Sequence, residues 1–491
     1  MTRHRGLPLR AQNLLLILSD EHNRDITGCY GNRLVRTPHL DALAARGTRF
    51  RWAYCNCPIC VPSRASLATG RYVHEIRCWD NAHPYDGRVR GWGHRLIEQG
   101  HEVAAVGKLH YRTVDDQTGF SQEISTLHVV DGIGDLLGLI RRELPVRGNV
   151  ERLAADAGRG ESSYTHYDRS IVEAARGWLE DKAANPPEKP WLLFVGFVLP
   201  HFPLIAPPEF FDLYSLEQMP IPRFYAESER PDHPVLNALR GCLNYDDYFD
   251  EERVRTALAA YYGMVSFLDF NVGQLLNALE DTGLERDTRV IYTSDHGDNL
   301  GNRGFWGKSV MYEEAVAVPL IMAGEDIPRG HVACTPASLV DLHPTFLKGL
   351  GEQASADEIT LPGRSLFRLA REEQPGRIVF SEYHAVGAMA GIYMIRKGRW
   401  KYVHYVGHCP QLFDLEADPH EGTDLGQSPA HMALRAELEA DLRSFVDPDA
   451  VNEQAFADQE RKITEHGGPE TIKRRGDFGY TPAPGEAPVF G

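Results

Sequence analysis

The chain has 491 residues, 42% of them hydrophobic and 25% charged, and a formal net charge of −17. A chain of this length and composition predicts a globular protein of two or three domains, long enough to bury a large core without disulfide bonds. The negative charge and the lack of a Lys/Arg-rich run argue against nucleic acid and anionic membranes as main partners, so an anionic substrate would need a local basic pocket.

The N-terminal region offers a short apolar run, Leu14–Leu18, which is followed by charged residues. This run is too short for a signal peptide and predicts a strand instead. No stretch of the sequence reaches the ~20 apolar residues of a membrane span. We therefore expect a cytoplasmic protein whose cysteines are reduced.

Predicted strands and helices alternate along the first two thirds of the chain. Asn13–Asp20 is an apolar run that ends in an acid, which is typical of a strand buried on both faces. Further along lie a helix opened by Thr37 and Pro38, a helix and strand in 91–108, a helix in 163–181, a strand in 190–200, a long helix in 251–283, and strands in 288–298 and 318–324. This alternation predicts an α/β fold, a large and mostly parallel sheet with helices on both faces.

The pattern changes near residue 363, which divides the chain into three predicted regions. Residues 1–363 form the large α/β domain, and residues 364–447 show antiparallel strands followed by an amphipathic helix, a smaller α+β domain. Residues 448–491 are rich in Gly and Pro. We expect them to be a tail on the surface, or an arm through which the chain forms a homo-oligomer.

One stretch, CNCPICVPSRASLATGR from Cys55 to Arg71, carries chemistry. Pro62 suits a first helical position and Gly70 a stop, so Ser63–Thr69 is predicted to be a short helix. Cys60 then lies at or just before the positive N-terminal end of that helix, where we expect its thiol to be acidified. Arg64, about one turn on, can reach back to the same place.

Three other interpretations of this stretch compete with a reactive cysteine. A zinc site from Cys55, Cys57 and Cys60 would need a fourth ligand and leaves the Pro-Ser-Arg run unexplained. A disulfide does not suit a reducing compartment. Burial without chemistry is the ordinary fate of a lone cysteine, and we assign it to Cys55 and Cys57.

The motif CVPSRASLATGR resembles the signature of the type I, formylglycine-dependent sulfatases of the alkaline phosphatase superfamily, on the arylsulfatase and choline-sulfatase side. The resemblance implies an alkaline-phosphatase-like sheet sandwiched by helices. It also implies that a formylglycine-generating maturation enzyme converts Cys60 to formylglycine, whose hydrated aldehyde is the nucleophile.

Acidic residues end two of the predicted strands. Asp20 and Glu21 follow the first strand, and Asp295 and His296 follow the strand in 288–298. Carboxyl ends of parallel strands open on one edge of a sheet, so these side chains can converge on one divalent cation. The resemblance adds residue 60 as a ligand. Oxygen-rich ligation makes Ca²⁺ the first expectation, with Mn²⁺ or Mg²⁺ as alternatives.

Cationic and proton-transfer groups follow other strands. Lys108 and His110 lie in GKLH, His201 lies in PHFP, and Lys308 closes the segment after Asp295. Together they supply the fixed cations and proton-transfer groups that an ester of a strong oxyacid needs. The resemblance places Arg64 and Lys108 beside the formylglycine, His110 as its base, and His201 and Lys308 at the bridging oxygen.

The leaving group of the substrate is less defined by the sequence. Trp79, Asp80 and Asn81, with Tyr383 and His384, could line a small pocket for it, although packing within loops explains the same residues equally well.

The function that follows is hydrolysis of a small anionic substrate, a sulfate monoester. The first alternative is a phosphonate monoester or phosphodiester hydrolase with the same machinery, and promiscuity between these ester classes is expected. A catalytically inactive binding protein on the same fold and a zinc-binding module are the remaining alternatives.

Overall fold

The computed structural model describes residues 9–490. Residues 1–8 at the start of the predicted large domain and residue 491 at the end of the predicted tail lie outside the described residues.

Strands and helices alternate through the described residues as the hydrophobic pattern predicts. The strands are β1 (Asn13–Ser19), β2 (Gly47–Phe50), β3 (Ala53–Tyr54), β4 (Val103–Lys108), β5 (Gln122–Leu127), β6 (Gly158–Arg159), β7 (Leu192–Gly196), β8 (Ile205–Ala206), β9 (Thr288–Ser294), β10 (Leu320–Ala323), β11 (His331–Ala333), β12 (Ala337–Ser338), β13 (Ile378–Tyr383), β14 (Ile392–Lys397), β15 (Trp400–Tyr405) and β16 (Gln411–Asp414). The helices are α1 (Pro38–Ala45), α2 (Cys60–Thr69), α3 (Val73–Ile76), α4 (Trp92–Glu98), α5 (Val150–Asp156), α6 (Ser163–Ala184), α7 (Pro208–Phe211), α8 (Pro234–Leu243), α9 (Glu251–Asp281), α10 (Glu313–Val316), α11 (Leu342–Gly349), α12 (Leu366–Leu369), α13 (Met432–Arg443), α14 (Pro448–Glu465) and α15 (Pro469–Arg475).

A sheet of eight strands forms the centre of the molecule, in the order β11-β2-β10-β9-β1-β7-β4-β5. The five strands β9, β1, β7, β4 and β5 are parallel to one another, whereas β10 runs antiparallel to both β9 and β2. The predicted α/β fold with a mostly parallel sheet is confirmed. The parallel part places the carboxyl ends of β1, β4, β7 and β9 along one edge.

Helices cover both faces of this sheet, so the side chains of β1 are buried on both sides. Leu15 and Ile17 belong to the core shared with α1, α6 and α9, and Leu14, Leu16 and Leu18 belong to the core shared with α2, α4 and α11. All five are fully buried. A strand with apolar side chains on both faces is stable only inside such a three-layer arrangement.

None of the helices within residues 9–490 combines the length and the apolar character that a membrane crossing requires.

Helix α2 begins earlier than predicted. It runs from Cys60 to Thr69, with extended Ile59 as the N-cap, so Pro62 is the third helical residue rather than the first. Proline is tolerated there because the N–H groups of the first turn have no intrahelical partner. Gly70 ends the helix with a φ of 69°, as predicted. The earlier start makes Cys60 itself the first helical residue.

A separate antiparallel sheet, β13-β14-β15-β16, forms the core of the predicted smaller domain, and α13 packs on it. Buried polar contacts join it to the large domain. The Asn56 side chain donates to the Phe380 carbonyl at 3.1 Å, and Lys401 Nζ lies 3.2 Å from Glu313 Oε1. Each buried partner would be costly to leave alone, so these contacts fix how the two domains meet.

The region predicted as a tail contains two helices, α14 and α15, which were not predicted from the sequence. The Asp447 side chain caps α14 by accepting a hydrogen bond from the Ala450 amide at 3.2 Å. Phe456, in the middle of that helix, is buried. Apart from Pro448, which suits a first helical position, every Gly and Pro of the region follows residue 466. The composition of the whole region therefore concealed a regular helix in its first half.

Candidate active site

The predicted site residues meet at the edge of the sheet where β1, β4, β7 and β9 end. Asp20 follows β1 and Asp295 follows β9, and the registered pair Ser19 and Ser294 brings the two strand ends side by side. Lys108 ends β4, and His201 lies in the loop between β7 and β8. The strands thus bring together residues that are far apart in the sequence.

Cys60 enters this edge from the first turn of α2. Its Sγ lies 3.4 Å from Asp20 Oδ1 and 3.2 Å from His296 Nε2, and the residue is 1% exposed. Burial, with the nearby Asp20 charge, raises the pKa of the Cys60 thiol to about 12. The predicted acidification is therefore wrong, because desolvation outweighs the helix N-terminus.

Arg64 joins the two buried aspartates. Its Nε donates to Asp295 Oδ2 at 2.6 Å and its Nη2 to Asp20 Oδ2 at 3.1 Å, while Lys108 Nζ lies 2.7 Å from the same Asp20 oxygen. Burial raises the pKa of Asp20, but the charges of Lys108, His201 and Arg64 lower it well below its ordinary value overall. Asp20 is therefore held as a carboxylate.

Four side chains fit a single divalent cation. Ligand atoms of Asp20, Cys60, Asp295 and His296 all lie within 4.8 Å of one another, and all four residues are buried. The Oδ2 atoms of Asp20 and Asp295 contact the Arg64 guanidinium, and that of Asp20 also contacts Lys108. The Oδ1 atoms of both aspartates lie within 3.8 Å of His296 Nε2. Two carboxylates and one imidazole around a shared point are a donor set for Ca²⁺, Mg²⁺ or Mn²⁺.

Glu21, predicted as a further metal ligand, lies outside this group of four. Its Oε2 accepts a hydrogen bond from Lys308 Nζ at 2.7 Å and lies 3.4 Å from His201 Nε2. Burial raises the pKa of Glu21 well above its ordinary value, although the Lys308 charge opposes this. Among the described residues, its buried Oε1 has no hydrogen-bond partner.

A cavity of about 150 Å³ opens onto these residues. Its walls include five of the residues predicted to act on the substrate: Cys60, Lys108, His110, His201 and Lys308. Burial lowers the pKa of His201 well below its ordinary value, and the Lys308 cation adds to this. Burial and the Lys108 cation do the same to the pKa of His110.

Of the five residues predicted to bind the leaving group, Asn81 lines this cavity. The other four are turned into packing contacts. Trp79 Nε1 donates to Asp458 Oδ2 at 2.9 Å, and Asp80 accepts from Gln459 and from the Ala82 amide. Tyr383 and His384 are fully buried, the first bonded to Ser309 Oγ at 2.8 Å and the second to Glu382 at 3.1 Å. For these four the alternative of loop packing was correct.

The neighbouring Glu382 leads to a prediction about stability. Burial raises the pKa of Glu382, but the His74 charge and hydrogen bonds from His384 and His74 lower it to about 2. A depressed carboxyl pKa stabilises the fold above about pH 4.5, and this stabilisation is lost as the pH falls through the folded-state pKa. We expect Glu382→Gln to lower the free energy of unfolding by about 3 kcal/mol near pH 6, with the difference from wild type vanishing near pH 2.

Chemical denaturation of both proteins across this pH range measures the difference. Glu98→Gln serves as the control, because the Glu98 carboxylate is 53% exposed in its pair with Arg90 and should matter little. A constant difference between wild type and Glu382→Gln at every pH would contradict the prediction.

Two segments that line the cavity were not predicted. One lies in 129–156 and includes Arg147 and Asn149, and the other is Asp477–Thr481 near the C-terminus. The first falls in an internal stretch without hydrophobic periodicity, which is itself typical of loops that build a site. The second carries no sequence signal, since its contacts join residues more than 300 positions apart.

Comparisons with known proteins find relatives in both sequence and fold. The sequence model of the Sulfatase family matches residues 12–352, and that of the N-sulphoglucosamine sulphohydrolase C-terminal region matches residues 301–447. Choline-sulfatase of Rhizobium meliloti (strain 1021) is 31% identical over 441 residues, covering 88% of this chain and 86% of that protein. Arylsulfatase K of Rattus norvegicus is 30% identical over 465 residues, covering 89% of this chain and 78% of that protein.

Among solved structures, the phosphonate monoester hydrolase of Agrobacterium radiobacter superposes with a TM-score of 0.72 at 24% identity, covering 88% of this chain and 95% of that one. At this identity the likeness concerns the fold, which can carry several chemistries.

Proposed function

The chain belongs to the sulfatase family and is a sulfuric ester hydrolase, and we propose that it cleaves a sulfate monoester, with residue 60 as the nucleophile beside one divalent cation. One observation carries the proposal. The side chain of residue 60 lies within 3.4 Å of both Asp20 and His296 and also lines the cavity. Residue 60 and the proposed cation ligands therefore lie together at the place where a substrate can enter.

A modified side chain at residue 60 and a divalent cation would complete this site. A maturation enzyme would oxidise residue 60 to formylglycine, and the hydrated aldehyde would supply an oxygen nucleophile. A divalent cation held by Asp20, Asp295, His296 and residue 60 would neutralise charge on the sulfate group. Ca²⁺ is the first candidate for this ion because carboxylate oxygens dominate the donor set, with Mn²⁺ and Mg²⁺ as alternatives.

The lysines of the cavity bind the anionic end of the substrate. Lys108 and Lys308 both reach the cavity, and each already faces a buried carboxylate, Asp20 for one and Glu21 for the other. These carboxylates hold the ammonium groups in place before substrate arrives, so little reorganisation is needed. In a chain with a net charge of −17 this pocket supplies the local positive field that a sulfate ester requires.

The two histidines of the cavity, His201 and His110, transfer protons in different steps of the reaction. His201 Nδ1 donates to the carbonyl of Phe202 at 2.7 Å, which leaves Nε2 facing Glu21 and Lys308. We propose that His201 donates a proton to the leaving alcohol or phenol. His110 accepts a proton from residue 60 when sulfate is released.

The ester class is tested by comparing hydrolysis of 4-nitrophenyl sulfate with that of 4-nitrophenyl phenylphosphonate, which share one leaving group. We expect the sulfate monoester to have the higher kcat/KM. A higher kcat/KM for the phosphonate would favour the phosphonate monoester hydrolase alternative. No turnover of either substrate by protein carrying the aldehyde and the metal would leave a binding protein as the better description.

The assignment of His201 predicts a dependence on the leaving group. His201→Ala should lower kcat/KM about 10²- to 10⁴-fold for phenyl sulfate, which needs a proton on its leaving oxygen. The loss should be much smaller for 4-nitrophenyl sulfate, whose leaving group is stable as an anion. Initial rates of both proteins on the two esters measure this, and equal losses on both would contradict the assignment.

The cytoplasmic location and the formation of a homo-oligomer through residues 448–491 stay predictions.

A further inference from the structure

We propose that Thr481 is a positioning residue for His110, and that the C-terminal segment Asp477–Thr481 completes the active site within the same chain. The proposal rests on the proposed function, because it concerns the histidine assigned to the release of sulfate. It adds a residue of the C-terminal region, 448–491, to a site whose proposed metal ligands and proton-transfer groups all belong to the large domain.

The contact itself is short and buried. His110 Nε2 lies 2.9 Å from Thr481 Oγ1, and His110 and Thr481 are 5% and 9% exposed. The other ring nitrogen, Nδ1, is buried and has no hydrogen-bond partner within residues 9–490. If Nε2–H donates to the threonine hydroxyl, the lone pair of the neutral ring is at Nδ1, which is then the atom free to take a proton. Nε2–H can keep the same hydrogen bond after Nδ1 is protonated, so the ring need not turn during the reaction.

The backbone of His110 is also held. Its φ is 61°, a left-handed conformation that non-glycine residues seldom adopt, and its amide donates to the Leu127 carbonyl at 2.8 Å. A residue kept in such a conformation indicates that its surroundings determine its geometry. With the backbone fixed by Leu127, the orientation of the imidazole depends on the one side-chain hydrogen bond to Thr481.

Thr481 is in turn anchored to the large domain. Tyr164 Oη donates to the Thr481 carbonyl at 2.5 Å, and the Tyr164 and Tyr480 rings meet edge to face at 5.3 Å. At the other end of the segment, Arg147 Nε lies 2.9 Å from Asp477 Oδ2, and the Asp477 carboxylate is 1% exposed. An ion pair and a hydrogen bond thus hold both ends of the segment over the cavity.

The test compares Thr481→Val, which keeps the shape but removes the hydroxyl, with Thr481→Ser, which keeps the hydroxyl. Thr464→Val is the matched control, since the Thr464 hydroxyl donates to the Glu460 carbonyl of its own helix and is exposed. We expect Thr481→Val to lower kcat about 10- to 100-fold, with KM changed by less than about threefold. Thr481→Ser and Thr464→Val should keep kcat within about threefold of wild type.

A second readout does not need turnover. Crystal structures of wild type, Thr481→Val and Thr481→Ser should show the His110 ring on Thr481 in the wild type and the serine variant, and turned or weakly ordered in the valine variant. If the wild type hydrolyses no sulfate monoester, the proposed function fails while the crystal structures still decide whether Thr481 positions His110. If the wild type is active and Thr481→Val equals it in kcat, or if the ring keeps its orientation in the valine variant, the proposal is wrong.

Discussion

Replacing Cys60 with alanine is expected to abolish turnover of sulfate monoesters and to leave the fold intact. The side chain lies between Asp20 and His296 at the cavity, so its loss removes the nucleophile while the carboxylates, the lysines and both histidines stay. In enzymes that form a covalent intermediate, removal of the nucleophile can cost about 10⁴-fold or more in kcat. Steady-state rates and the thermal unfolding midpoint of the two proteins measure both halves of the expectation.

Cys57→Ala is the matched control. Cys57 is buried three positions earlier but does not belong to the group of possible metal ligands, so its variant should keep most of the activity. Cys60→Ser should also be nearly inactive, since a hydroxyl in place of a hydrated aldehyde lacks the second oxygen needed to expel sulfate.

Mass spectrometry of the tryptic peptide 52–64 gives an independent measurement. In active wild type the peptide should carry an aldehyde, with a lower mass than the cysteine form and with reactivity toward hydrazides. Fully active protein in which this peptide holds only unmodified cysteine would overturn the proposed nucleophile.

Asp295→Asn is expected to have the second largest effect, a loss of the bound divalent cation together with a fall in turnover of about 10³-fold or more. Asp295 gives one oxygen to the group of four possible ligands and the other to Arg64 at 2.6 Å. The amide keeps the shape of the side chain but lacks the charge that both partners need. Metal analysis of the purified proteins and steady-state rates measure the two effects.

Asp269→Asn is the control for this experiment. Asp269 is a buried aspartate, 1% exposed, that accepts the amides of His39 and Leu40 at the start of α1, away from the site. Its variant should keep one cation per chain and wild-type turnover. Treating the wild type with a chelator should reproduce the loss seen in Asp295→Asn, and readdition of the metal should reverse it. Full activity of Asp295→Asn without bound metal would contradict the assignment of a catalytic cation.

The positions of the site residues differ in how far the sequence could predict them. Asp20 and Asp295 were correctly expected to lie together because the carboxyl ends of parallel strands share one edge, a rule that needs no knowledge of side-chain packing. Trp79 and Tyr383 were placed wrongly, since composition does not show whether an aromatic side chain in a loop faces the cavity or the core. Both are fully or almost fully buried in the core.

The alternation of strands and helices in the large domain, the mostly parallel sheet and the motif around Cys60 could all be predicted from the sequence. These depend on local periodicity and on residues close together in the chain. Three features of the site become visible only in the folded chain. Glu21 pairs with Lys308, and burial raises the pKa of the Cys60 thiol. Thr481 contacts His110, from which it is separated by 371 positions in the sequence. Desolvation and contacts between distant residues arise only when the chain is packed, and no local pattern encodes them.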